Sequence, residues 1–486
     1  MSAAKLKIGW GQADITPEES VAISGQFHAR VSEGVRDPVT ATALVLESGD
    51  EHVVLVSCDL VAISPELWEA VGARLDGPSP DALVMNATHT HTAPENRPVG
   101  SAAGSTAESF GVALDVMAVE DYVEFAAQRI AAEVNEAWAN RTEGSIAFGL
   151  GQAVVGRNRR WVDVDGVSTM YGNTDTPRFS HIEGYEDHSV NLLATWDAAG
   201  DLTGVMVNVP CTAQETEGLF EISADFWHEA RVELRRRLGE GLFVLPQASA
   251  AGDQSPHLLF GKREHERMLA LKGRTSREEI GHRIADAVEE VLQYLDGTQD
   301  DAPLLEHQIM ELRLPLRKLT EEDAQTADAE AAKLRAEYEA ELAKLEANPE
   351  LRHEPRWHKP LWYVPVTKAY RRMRWYERVR ERFEQQKHED AVRDVTLHVI
   401  RLGEVAIATD PFEYYLDFGV YIKARSPATQ TFLVQLAGAG TYVPSARSIA
   451  GGGYGSLPAS TPIGPDGGRE VADRTIETLL ELWSED

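Results

Sequence analysis

Apolar residues gather in short runs along the chain, each roughly four to eight residues long and mostly bounded by Gly, Asp or Pro. They are Thr42 to Leu46, His52 to Ser57, Ala82 to Ala87, Ser145 to Gly149, Val205 to Val209, Phe243 to Gln247, Val395 to Ile400 and Val405 to Thr409. Runs of this kind predict buried strands. Between them, apolar positions at helical spacing predict one-sided helices over Pro65 to Leu75, Val119 to Trp138, Ala224 to Leu238, Ser276 to Leu295 and Ala472 to Trp483. Strands alternating with helices predict a layered α/β fold.

The rhythm breaks from about Leu319 to Asp390, where Ala, Glu, Lys, Arg and Leu dominate and Asn348-Pro349 and His358-Lys359-Pro360 interrupt. This predicts two long exposed helices inserted into one catalytic domain spanning 1–486. A solvated arm or a homo-oligomer contact is the plain reading; the aromatic residues Trp357, Trp362, Tyr363, Tyr370, Trp375 and Tyr376 leave a lid or partner surface open.

Charge narrows the partners. Lys and Arg total 47 against 78 Asp and Glu, a net charge of −31, which disfavours nucleic acid and anionic membrane surfaces. The two cysteines, Cys58 and Cys211, are too few for a disulfide framework. No signal-peptide pattern or long apolar run is present, so a cytoplasmic, soluble protein is expected.

His89 and His91 follow the run Ala82 to Ala87, at the end of a predicted strand, where α/β folds hold ligands. Two residues apart in extended chain, both imidazoles can face one cavity as metal ligands or as hydrogen-bonded structural histidines. Glu413 and Asp59 also follow strand runs, each readable as a ligand or as a cap or surface acid. Cys211 could bind zinc, although a buried cysteine is more often a filler. His228 could point back from the next helix, and Asp225 reads equally as a helix N-terminal acid or a site residue. Ser255, in Gly252-Asp253-Gln254-Ser255-Pro256, could present a hydroxyl. The loop Gly451-Gly452-Gly453-Tyr454-Gly455 lacks the setting of a phosphate loop.

Taken in order, these pieces resemble the neutral ceramidase superfamily. Gly9-Trp10-Gly11-Gln12-Ala13-Asp14-Ile15-Thr16-Pro17, Thr88-His89-Thr90-His91, Asn158-Arg159, Gly252 to Pro256, Pro411-Phe412-Glu413, Tyr442-Val443-Pro444 and Tyr454 are similar to its segments. The resemblance implies one zinc ion held by His89, Glu413 and Tyr442, with His91, Arg159 and Tyr454 facing the scissile group. The family's further histidine ligand falls near Pro210-Cys211, so Cys211 or His228 is expected to take its place. Thr92-Ala93-Pro94-Glu95-Asn96 puts charge where a lipid tail would approach, and the chain given ends too soon after Tyr454 for the family's C-terminal β-sandwich. The polar stretch Asn173 to Gly184, with His181 and then His188, reads as an exposed loop or as a grip on a hydrophilic substrate.

The expectation is a zinc-dependent hydrolase that cleaves an amide bond in a small polar substrate. Metal-dependent ester hydrolysis, elimination or isomerisation on a polar metabolite or carbohydrate is the second reading, and a non-catalytic scaffold the third.

Overall fold

Alternate residues of the predicted strands go to opposite faces, and the faces find different partners. The computed structural model describes residues 4–97, 106–353, 361–388 and 391–484. Its main sheet has eight strands: β1 (Leu6–Asp14), β2 (Thr40–Ser48), β3 (Glu51–Cys58), β4 (Leu83–Ala87), β5 (Thr142–Gln152), β6 (Ser189–Asp197), β7 (Leu202–Val209) and β8 (Phe243–Ala248), in the spatial order β8-β7-β6-β5-β1-β2-β3-β4. A second sheet holds β9 (Leu305–Pro315), β10 (Val392–Leu402), β11 (Val405–Thr409) and β12 (Gln430–Val434) in sequence order. All eight runs singled out in the sequence fall in strands, save that Ala82 lies in the turn just before β4.

On β2, Ala41, Ala43 and Val45 pack against helices α1 (Pro65–Gly72) and α2 (Val119–Ala139), while Leu44 and Leu46 face the second sheet. The outer face of β5 to β8 is covered by α3 (Phe226–Leu238) and α4 (Ser276–Leu292). Leu193, Met206 and Leu245 meet Ile400, Ile407 and Phe432 between the sheets. On the far side, Leu397, Val399 and Ala408 pack with residues of two later helices, 416–425 and 465–482. The result is four layers, helix, sheet, sheet, helix, with a mainly apolar interface between the two sheets.

The charged segment folds as two helices, α5 (Glu321–Ala347) and α6 (Tyr363–Gln385), lying side by side. Thr320 and Asp323 form a capping box that starts α5. Leu319, Ala324, Ala327, Val379 and Phe383 join the pair, and ion pairs between exposed side chains, such as Arg380 with Asp328 at 2.6 Å, cross it. Trp357 and the His358-Lys359-Pro360 connection lie outside the described residues. No helix among the described residues is long and apolar enough to cross a membrane.

Candidate functional site

Parallel pairs β3/β4, β7/β8 and β11/β12 end on one rim, and the chain segments leaving them carry the site. Just past β4, His89 has φ 64°, a left-handed conformation that a non-glycine residue adopts at some cost. That turn aims the ring so that Nδ1–H donates to the Val61 carbonyl at 2.6 Å. The bond fixes the tautomer and leaves Nε2 with its lone pair directed inward.

Glu413 and Tyr442 arrive together because the short strands Glu413–Tyr414 and Tyr442–Val443 pair in parallel, with these two residues in register. Glu413 Oε2 lies 3.5 Å from His89 Nε2 and 3.6 Å from Arg159 Nη2; it is buried and accepts no hydrogen bond of ordinary length. Burial opposes the Glu413 charge, but His89, Arg159 and Tyr442 outweigh it and hold the carboxyl down at about 2.

Arg159 is 1 % exposed and fully engaged at its terminal nitrogens: Nη1 donates to Tyr171 Oη (2.8 Å) and Gln214 Oε1 (3.1 Å), and Nη2 to the Gly252 carbonyl (2.8 Å) and Tyr442 Oη (3.3 Å). The next residue, Arg160, points the other way. It pairs with Glu183 and donates to the carbonyls of Gly452 and Tyr454, which holds the glycine-rich loop in place. The Tyr454 ring, 39 % exposed, packs edge-on against Tyr442 at 5.6 Å.

His91 is gripped from two sides. Gln214 Nε2 donates to its Nε2 at 2.6 Å, an orientation fixed because Gln214 Oε1 already accepts from Thr212 and Arg159. Its Nδ1 meets Glu217 Oε2 at 3.2 Å, and Glu217 also faces His257 at 3.6 Å. Burial is the main cause holding His91 down to about 4, so the ring is neutral. His91 Nε2 lies 3.2 Å from His89 Nε2. Gly25, at φ +98°, makes room for this ring, since a Cβ there would sit 2.8 Å from His91 Cβ.

His89, His91, Arg159, Glu413, Tyr442 and Tyr454 are thus brought together. Ser255 stands one contact away: it hydrogen-bonds Tyr171, the partner of Arg159. Cys211 does not join the group; its thiol donates to the Thr212 carbonyl within the helix-side core, and burial pushes the thiol far above its ordinary range, against thiolate formation. Nor does His228, whose helix α3 packs in that same core with no bond from its ring to the site. Asp225 caps α3 and also accepts from the Glu215 and Thr216 amides, shaping the loop that carries Gln214 and Glu217. Asp59 is spent on Arg231 at 2.7 Å. His181 is exposed beside Ser180, and His188 pairs with Glu186.

Gln214, Glu217 and Tyr171 were not singled out from the sequence; the one available signal was that Gln214 follows the end of β7 closely. Among the described residues, no three His, Cys, Asp or Glu side chains are arranged as a metal cage. What is present is a facing pair, His89 Nε2 and Glu413 Oε2, both acceptors. A cation held between them would satisfy both groups.

The four layers and the rim site define a ceramidase-like fold. Neutral ceramidase from Pseudomonas aeruginosa superposes with a TM-score of 0.66 at 18% identity, over 99% of this chain and 74% of that one. A structure described as ceramidase complexed with C2 gives a TM-score of 0.66 at 16% identity, over 99% of this chain and 75% of that one. No family model matches the chain, and no curated protein matches it by sequence.

Proposed function

We propose that this protein is a zinc-dependent hydrolase that cleaves an amide bond in a small polar substrate. The observation that supports this best is the buried pair His89 Nε2 and Glu413 Oε2, 3.5 Å apart with no donor between them. A divalent ion suits them: an imidazole nitrogen, a carboxylate oxygen and the adjoining Tyr442 phenol make a zinc-compatible donor set, and the Val61 carbonyl orients the histidine as such ligands require. When bound, zinc supplies a water of pKa about 7 and polarises a carbonyl.

The chain's own groups do the rest. Arg159, held rigid by four protein acceptors, sets a fixed positive charge beside Glu413 and Tyr442, and the Tyr454 hydroxyl beside Tyr442 offers a donor to an oxygen that gains charge as the bond breaks. His91, neutral and clamped between Gln214 and Glu217, can take and return a proton at Nε2 once the Gln214 bond yields. The structural likeness to ceramidases favours an amide as the bond attacked.

The test is metal content by elemental emission on protein purified without added metal, together with turnover of a panel of amides and esters. About one zinc per chain is expected. His89→Ala and Glu413→Gln should lose the metal and at least about a hundredfold in rate. A metal-free parent that still turns over, or an unaffected rate in both variants, overturns the reading.

A further inference from the structure

The Glu413 and Tyr442 side chains form the floor of a cavity of about 530 Å³, one wall of which is the helix α6. Arg378 and Arg382 project into it from α6, Arg393 from β10, and Arg97 from the loop after the histidine pair. Arg97 is answered by Glu95 at 2.8 Å. The other three form no ion pair with any described carboxylate; the nearby Glu381 turns to Arg374 at 3.7 Å. Arg378 is exposed and its side chain makes no bond to a described residue. Arg382 Nη2 donates to the Pro458 carbonyl, while its Nη1 is buried with no partner at all. Among the described residues, Arg393 has the Phe412 ring as its one partner, 5.7 Å from its guanidinium carbon.

Three guanidiniums sharing one cavity repel one another, and removing them from water without a counterion costs free energy. Burial and the neighbouring Arg317 and Arg378 all work against the Arg382 charge. In a chain of net charge −31, surplus acids are abundant, yet among the described residues none pairs with these three arginines, and Glu381, which lines the same cavity, is held by Arg374. The neighbouring cavity on the other side of Trp375 shows the contrast: there Arg335 and Arg374 both pair with Glu377.

We propose that the Arg378, Arg382 and Arg393 wall is an oxyanion subsite, and that the substrate carries a carboxylate or phosphate on the part remote from the bond presented to Glu413 and Tyr442. The cavity has room for a small metabolite with the anion on the α6 wall and the reacting group on the floor. Guanidinium forks match either oxyanion through paired N–H donors. The subsite as part of a reaction rests on the hydrolase reading; anion binding itself does not.

The experiment is calorimetric titration of the full-length protein with sodium phosphate and with N-acetylglycine, using N-acetylglycinamide as the uncharged counterpart, at fixed ionic strength. Binding of at least one anion and not of the amide is expected, weakened roughly tenfold in Arg382→Gln and in Arg378→Gln. Arg378 has no bond to lose, so its variant folds even if Arg382→Gln does not. Phosphate binding points to a phosphate monoester, N-acetylglycine binding to a carboxylate. No binding of either anion, equal binding of the neutral amide, or unchanged affinity in Arg378→Gln and a folded Arg382→Gln overturns the proposal. Titrating His89→Ala separates the two readings: anion affinity retained there alongside a parent inactive on every amide and ester leaves the subsite standing and removes the hydrolase.

Discussion

Arg378 lines the cavity and Arg159 lies beneath its floor, against Glu413 and Tyr442, and their surroundings differ in almost every respect. Arg159, on the strand-rim floor, is buried and bonded to two tyrosines, a glutamine and a backbone carbonyl. Arg378, on the helical wall, is exposed and its side chain bonds to no described residue. The floor is anchored by both sheets and by short ladders such as Gln254–Ser255 with Arg157–Asn158, so its groups keep one geometry before any ligand arrives. The wall belongs to a helix pair with a small apolar seam and pairs of charged side chains, a surface whose residues can change with little cost to folding. Chemistry that needs fixed positions sits on the floor, and selection among substrates on the wall.

Breaking the floor should have the largest effect. Arg159→Met leaves Glu413 buried beside unpartnered tyrosines and removes the fixed positive charge 3.6 Å from its Oε2. The expected result is loss of at least about a hundredfold in turnover and on the order of 3–5 kcal/mol in urea unfolding. Arg378→Gln, measured alongside, should leave the unfolding midpoint unchanged. Equal destabilisation by the two would erase the distinction between floor and wall.

A pH experiment separates the sheets from the helix pair in another way. His307 and His398 stack on β9 and β10, 2.9 Å apart between ring nitrogens, and burial lowers them to about 4 and about 3. The unfolded chain therefore takes up protons at higher pH than the folded one. Stability from the neutral pair is complete above pH about 6.5 and drains away as pH falls towards 4, by about 3 kcal/mol for His307 alone. Amide hydrogen exchange in β9 and β10 should accelerate over that interval, and His307→Gln should flatten the dependence. A loss confined to α5 and α6 would contradict it.

Most of the strands that the sequence reveals carry continuous apolar runs, whereas β6 and β12, equally buried on both faces, are broken by polar residues such as Asn191, Thr195, Gln430 and Thr431. β1 was hidden by Gly9 and Gly11, which carry no strand signal because α2 lies directly on them; a Cβ at Gly11 would stand 2.6 Å from the Glu133 carbonyl oxygen. β9 was hidden by its polar outward face, Glu306 to Arg313. Of the site, His89, Glu413, Tyr442 and Arg159 were legible because each lies near a strand end or in a segment resembling a known family. Glu217, Gln214 and the arginines of the wall were not, because what matters in them is a partner, or the lack of one, far away in sequence. Cys211 and His228 were plausible from spacing alone, and only the structure shows Cys211 in the core under α3 and His228 partly buried on α3 with no bond to the site.

A smaller effect probes how finely the floor is set. Gly25→Ala introduces a methyl group against the His91 ring at a backbone angle unfavourable to alanine. A ring displaced even slightly loses its alignment with Gln214 and Glu217, so about tenfold in rate and on the order of 1–2 kcal/mol in stability should go. Unchanged kinetics in a folded Gly25→Ala protein would show that His91 needs no fixed position.

The smallest effect is expected on the outside of the helix pair, and it is the result that gives the others meaning. Arg380 bridges Asp328 and Glu384, with hydrogen bonds as short as 2.6 Å, and by contact geometry it looks as well held as Arg159. Water and salt surround it, however, so the charges it holds are already solvated when the bridge opens. Arg380→Ala should therefore leave both the thermal midpoint and turnover within experimental scatter, at low and at high salt alike. A clear drop that salt reproduces in the parent would mean that the helix pair is held together by its ion pairs. The wall would then be as firmly fixed as the floor beneath it.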